Sequence, residues 1–96
     1  MKDKELYNLL IGRPGGKNTM RILDAIILKP QNANQLSKAL CLDYKTIVHH
    51  MTIICNHQYA TKEKFDKYNY FHPSDKLIKN LDEYKIIKEQ FYEKKQ

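Results

Sequence analysis

The sequence predicts one mainly α-helical domain carrying a small β-hairpin, and three patterns predict it. Apolar residues recur at helical spacing over most of the chain, and helix-starting and helix-stopping residues cut that periodicity into segments. A single stretch, 59–72, changes to aromatic and Thr residues suited to strands. With 96 residues in all, these segments have to share one core. Hydrophobic residues make up 42% and charged residues 29%, a globular balance with no run of eighteen apolar residues to cross a bilayer. No membrane partner is expected. Mixed charges from Met1 to Glu5, followed only by the short run Leu9-Leu10-Ile11, do not make a secretory signal, so the cytoplasm is the expected compartment.

A leading helical segment is expected within 1–12, where Leu6, Tyr7, Leu10 and Ile11 share a face and Gly12-Arg13-Pro14-Gly15-Gly16 ends it. The first core helix is predicted over 18–28, with Met20, Ile22, Leu23, Ile26 and Ile27 inward and Lys29-Pro30 as its stop. Asn32-Ala33-Asn34-Gln35 reads as a capping box that starts the next helix, through Leu36, Ala39 and Leu40. After Cys41-Leu42, Asp43 is a second N-cap candidate, opening a periodic stretch to about His57. So short a connection forces a sharp corner, because neither helix buries its stripe unless one folds across the other, and 32–58 becomes helix, turn, helix. Tyr59 to Lys64 and Tyr68 to His72 then form a hairpin about Phe65-Asp66-Lys67. Behind Pro73-Ser74-Asp75, one helix is predicted over 74–94, with Leu77, Ile78, Leu81, Tyr84, Ile87 and Phe91 on one face.

This order of helix, helix, turn, recognition helix, β-hairpin wing and C-terminal helix is that of a winged helix-turn-helix domain. The segment Asn32 to Ala60 is more specific, above all Leu42-Asp43-Tyr44-Lys45-Thr46-Ile47 and His49-His50-Met51. It resembles the helix-turn-helix of ArsR-like winged helix transcription regulators, small archaeal members in particular, and a weaker likeness runs from Arg13 to Phe91. The resemblance implies a regulator that binds double-stranded DNA through the second of the two helices and forms a homodimer through its terminal helices. Cys41 and Gln58 stand where the family has glycines, and a left-handed backbone there would cost a residue with a side chain roughly 1 kcal/mol. The Cys-x-Cys of metal-sensing members is missing from this stretch, so that chemistry does not carry over.

A recognition helix presents polar side chains from its N-terminal turns while the opposite face holds it to the domain. Ile47, Met51 and Ile54 at i, i+4, i+7 are expected inward, leaving Tyr44, Lys45, Val48, His49 and Thr52 on or near the outer face. Lys45 can donate to phosphate or guanine, and Tyr44 and Thr46 to phosphate near the positive helix end. Val48 suits a thymine methyl group, with core packing after a small helix rotation as the alternative. His49 and His50 point about 100° apart, so His49 is assigned to DNA and His50 to the domain. Lys62, Lys64 and Lys67 surround the hairpin tip and suit flanking phosphate or the minor groove, or else simply protect a sheet edge. Arg13, Lys17 and Arg21 form an acid-free cluster that reads as a backbone clamp or a flexible linker, since no Gly-Lys-Ser/Thr ending makes it a phosphate loop.

The net charge of +6 favours polyanions, although the span from Asp43 to Lys76 is nearly balanced. Two cysteines, Cys41 and Cys55, are expected as thiols, and Cys55 with His57 makes no recognised metal site even with His50 or Cys41 added. No metal or cofactor is therefore expected, and no acid, base and nucleophile assemble into an enzyme site. Dimerisation has two sequence candidates, the stripe Leu77-Leu81-Tyr84-Phe91 and the Leu6-Leu10 segment, each of which can instead pack within one subunit. The alternative function is a winged helix serving protein interaction without specific DNA binding. The sequence names no effector.

Overall fold

A computed structural model describes residues 4–94 of the chain. In order, the elements are α1 (Lys4–Leu10), α2 (Gly16–Leu28), β1 (Gln31–Asn32), α3 (Ala33–Leu40), α4 (Tyr44–Asn56), β2 (Ala60–Phe65), β3 (Tyr68–Pro73), α5 (Asp75–Lys79) and α6 (Leu81–Lys94). They build a mainly helical globule with a three-stranded antiparallel sheet of order β1-β3-β2. The start of the expected leading segment, residues 1–3, lies outside the described residues.

Backbone contact decides where α1 stops and α2 starts. Gly15 sits in the left-handed region at φ 86 as the N-cap of α2, and a Cβ on Gly16 would stand 1.7 Å from the Leu10 carbonyl oxygen. Only glycine allows the two helices to meet there, so α2 begins at Gly16 and not at Asn18. The Gly12 to Gly16 run is thus a packed corner, which corrects its reading as a flexible linker.

At the start of α3 the capping box is present in both directions. The Gln35 backbone N–H donates to Asn32 Oδ1 at 2.8 Å, and the Asn32 N–H donates to Gln35 Oε1 at 2.9 Å. Asn32 also pairs across β1 with Tyr70 of β3, and Gln31 with Phe71. Two residues are too short a strand to leave an alternation in sequence, so β1 went unpredicted. In the hairpin, Phe65 pairs with Tyr68, which leaves Asp66-Lys67 as the loop, with Asp66 at φ 59. Asp tolerates that left-handed conformation better than most side chains.

The long final helix predicted over 74–94 is divided. Ser74 caps α5 by accepting the Leu77 N–H at 3.2 Å, and α5 ends at Asn80. There the Asn80 side-chain amide donates to the Lys76 carbonyl at 2.8 Å, while its backbone N–H turns to Leu77 at 3.0 Å. The side chain has taken the acceptor that a continuing helix would give to the backbone, which is how Asn breaks helices. Beyond the break, Tyr84 reaches α2, donating its hydroxyl within 2.6 Å of Asp24 Oδ1 and lying 3.1 Å from the Met20 carbonyl.

The core runs through all the helices, with Leu6 and Leu10 of α1, Leu23 and Ile26 of α2, Leu36 of α3 and Ile47 and Ile54 of α4 fully buried. Leu77, Tyr84 and Ile87 close it from the C-terminal side. The apolar stripes offered for a dimer are therefore used within the chain: Leu6, Leu10, Leu77 and Tyr84 are buried, and Leu81 and Phe91 pack partly against the same core. Helices α1 and α6 also pack on each other. Among the described residues, no helix is long and apolar enough to cross a membrane.

Candidate nucleic-acid interface

Three residues, Cys41 to Asp43, connect α3 to α4. Cys41 takes φ 55 and ψ 44, and its N–H and that of Leu42 both return to the Ser37 carbonyl. The Ser37 hydroxyl donates to the Leu42 carbonyl at 2.5 Å, and Arg21 donates to the Leu40 carbonyl at 2.5 Å. Every one of these bonds fixes the corner, so Arg21 is spoken for by the turn. Asp43 occupies the N-cap of α4, but its carboxylate makes no capping bond, and its carbonyl accepts the Ile47 N–H at 3.0 Å. At the far end, Gln58 is left-handed at φ 65 while the Tyr59 N–H returns to Ile54 at 3.1 Å. Both positions at which the resembling family carries glycine thus hold the glycine conformation with a side chain attached.

Helix α4 divides cleanly into two faces. Ile47, His50, Met51 and Ile54 are buried, whereas Tyr44 is 52% and Val48 41% exposed, and Lys45, His49 and Thr52 are exposed as well. Thr46 is half-buried and stands at the border. Val48 is therefore no core residue after a helix rotation. The Thr52 hydroxyl donates to the Val48 carbonyl at 2.8 Å, which leaves its oxygen lone pairs and its methyl group facing outward.

His50 anchors the inner face against the α1–α2 corner. Its Nδ1 lies 3.3 Å from Thr19 Oγ1 and 3.5 Å from Arg13 Nη2, and its ring edge would stand 3.0 Å from a Cβ on Gly15. Burial, the Arg13 guanidinium and neighbouring His49 all push its pKa below the usual imidazole value. Arg13 donates to Thr19 Oγ1 at 2.7 Å and to the Pro14 carbonyl at 3.0 Å. Arg13 and Arg21 are consequently internal ties, and of the acid-free cluster only Lys17 stands exposed.

Between the outer face of α4 and the hairpin lies an open groove of about 390 Å³. Tyr44, Val48 and Thr52 form its α4 wall, Asn32 and Asn34 its end at the start of α3, and Lys62, Lys67 and Tyr68 its hairpin wall. Met51, Cys55 and Phe71 floor it. No aspartate or glutamate among the described residues lines the groove, although the chain has 11 of them. Lys64, two residues from Lys62 in β2 and paired with Asn69 where Lys62 pairs with Phe71, shares its sheet face but does not line the groove. Lys45 and His49 flank the α4 wall on the side away from the hairpin, so the structure gathers Tyr44, Val48, Thr52, Lys62 and Lys67 and leaves Lys45, His49 and Lys64 at its margins. Sequence reasoning missed Asn32, Asn34 and Tyr68 as walls. The capping box was the one signal that pointed to the first two, because it set the start of α3 without saying what that end would face.

Cys55 and His57 diverge. Cys55 turns to the groove, where burial pushes its thiol pKa up, whereas His57 Nδ1 meets Glu5 Oε2 at 2.8 Å. The same carboxylate accepts from Lys76 at 2.6 Å and from the Tyr59 hydroxyl at 3.3 Å, and Lys76 first, then His57, hold the Glu5 pKa down at about 2. This clasp ties α1 to the end of α4. Among the described residues, no three His, Cys, Asp or Glu side chains converge as a metal site would require. Compared with known protein families and with characterised proteins, the chain matches none.

Proposed function

We propose that the chain is a winged helix-turn-helix transcription regulator of the ArsR-like, small archaeal type, with α4 as the recognition helix in the major groove and β2–β3 as the wing. The observation that carries this reading is the groove itself, walled by the exposed side of α4, edged by lysines and lined by no carboxylate among the described residues. A duplex presents one negative charge per ~1.7 Å of axis, and a surface that releases its counterions needs cations unopposed by nearby acids. In this arrangement Tyr44, Thr46, Lys62, Lys64 and Lys67 contact backbone, whereas Lys45, Val48, His49 and Thr52 meet base edges. The role is one of binding in the cytoplasm, not catalysis. Two copies acting as a homodimer would set two recognition helices into successive major grooves, as a small single module buries limited DNA surface.

The competing reading is a protein-interaction module, favoured by the apolar floor of Met51, Cys55 and Phe71. It expects the outer face of α4 to be covered by a partner or by the chain's own terminal helix, and α6, packed on α1, is not what covers it. Selection from a random duplex library at stated salt, with oligomeric state measured alongside, separates the two. A palindromic winner bound by a dimer supports the regulator. Affinity no better for any sequence than for bulk DNA at physiological salt sinks it. Lys62→Ala with Lys67→Ala is expected to lower the slope of log affinity against log salt by about 0.9 per phosphate contact, so by about 1.8 for each subunit and about 3.6 for the dimer, while leaving the preferred sequence unchanged.

A further inference from the structure

We infer that Val48 and Thr52 together read a single A·T base pair, the Val48 methyl groups lying on the thymine C5-methyl and Thr52 Oγ1 accepting from the adenine N6 amine. The inference rests on the DNA-binding reading above and adds to it the base pair that the centre of the helix selects. Val48 is 41% exposed on the outer face of α4 and lies outside the buried core, so part of its apolar surface is open to a ligand in the groove. Thr52 lies one turn further along the same wall of the groove. With its proton donated to the Val48 carbonyl at 2.8 Å, its oxygen meets a ligand as an acceptor.

An apolar group beside an acceptor matches the major-groove edge of A·T, which offers thymine's methyl next to adenine's amine. A G·C pair satisfies at most one of the two. Its cytosine amine can donate to Thr52, but guanine O6 and N7 then face the Val48 methyl groups without a donor, and desolvated acceptors left unpaired are penalised. Nothing at outer positions 44, 45, 48, 49 and 52 is Arg, Asn or Gln, the side chains that make bidentate contacts to guanine or adenine. Lys45, a turn nearer the start of α4, and His49 are left as the donors for guanine acceptors. The groove is fitted to a nucleic acid by charge, since Lys62 and Lys67 edge this apolar wall and no carboxylate among the described residues lines it.

The test uses the full chain and the best duplex enriched from a random library. Deoxyuridine is substituted at each thymine in turn, and purine, which lacks the amine, at each adenine. One thymine is expected to lose about four-fold in affinity without its methyl, the scale of one buried methyl group, and its paired adenine about five-fold without its amine, the scale of one hydrogen bond. Val48→Ala should abolish the first difference and Thr52→Val the second, as a double-mutant cycle requires. Both positions are exposed, and unchanged melting temperatures check the variants' folding; if either fails that check, the base-analogue series on the wild-type chain decides alone. An enriched duplex indifferent to every methyl and amine deletion overturns the inference while leaving DNA binding intact. Failure to enrich any sequence overturns both.

Discussion

Cys41 at φ 55 and Gln58 at φ 65 each hold a backbone conformation that their own Cβ disfavours, and they do so at the two ends of the stretch that carries the candidate site. Relief of left-handed strain, at roughly 1–2 kcal/mol per residue, exceeds the added unfolded-state entropy of a glycine, about 0.4–1 kcal/mol. Gln58→Gly is therefore expected to raise stability by about 0.5–1 kcal/mol and the melting temperature by several degrees, measured by thermal unfolding. No change, or a loss, would mean that the Gln58 side chain contributes something the strain argument omits. His50 adds a pH dependence. Its folded pKa is depressed below 6.5, so the unfolded chain binds the extra proton, and its contribution is complete above about pH 6.5 and lost as pH falls through the lower folded value. Denaturant titrations between pH 7.5 and 5 should show that decline, and His50→Gln should flatten it. Glu5 acts in a separate window. Its contribution is complete above its unfolded value of 4.5 and lost as pH falls toward about 2. Because the carboxylate is 41% exposed, solvent screening reduces it to about 1 kcal/mol, which Glu5→Gln removes at neutral pH and not at pH 2.

At the scale of elements, the features written locally were legible and those set by tertiary contact were not. The capping box of α3, the corner after Leu40 and the strand character of 59–72 depend on neighbours within a few residues, and the structure carries each of them. The outer face of α4 followed from a period that Ile47, Met51 and Ile54 alone define. By contrast, β1 exists only because β3 lies beside it, and the break at Asn80 depends on a side chain choosing the Lys76 carbonyl, which no apolar period records. The groove was half legible: its α4 and lysine walls came from sequence, whereas Asn32, Asn34 and Tyr68 arrive only when the sheet brings the hairpin against the start of α3. The α1–α2 corner makes the sharpest test at this scale. A Cβ on Gly16 would meet the Leu10 carbonyl oxygen at 1.7 Å, and backbone cannot move aside as a flexible side chain would. Gly16→Ala should destabilise by about 3 kcal/mol or more, in the range reserved for severe packing conflicts, whereas Gly12→Ala should cost far less. Equal melting temperatures for the two variants would refute the close approach.

Across the whole molecule, one polarity organises the chain. The terminal helices α1 and α6 pack together, the Glu5 clasp joins α1 to the end of α4, and His50 holds α4 to the α1–α2 corner. The opposite face of α4 is left open toward a hairpin edged with lysines. Such a division uses the interior to position a helix whose exterior has no internal role, and it accounts for an apolar Val48 and an exposed Tyr44 on the same side as the cationic groove. The central claim is that this outer face of α4 meets duplex DNA. It is tested most directly by titrating the selected duplex at several salt concentrations with the wild-type chain and with the Lys45→Ala, His49→Ala double variant. A steep loss of affinity with salt and a variant weaker by ten-fold or more, consistent with base contacts of about 1–3 kcal/mol each, is the expected result. Wild-type affinity and an unchanged salt slope in the double variant would contradict it.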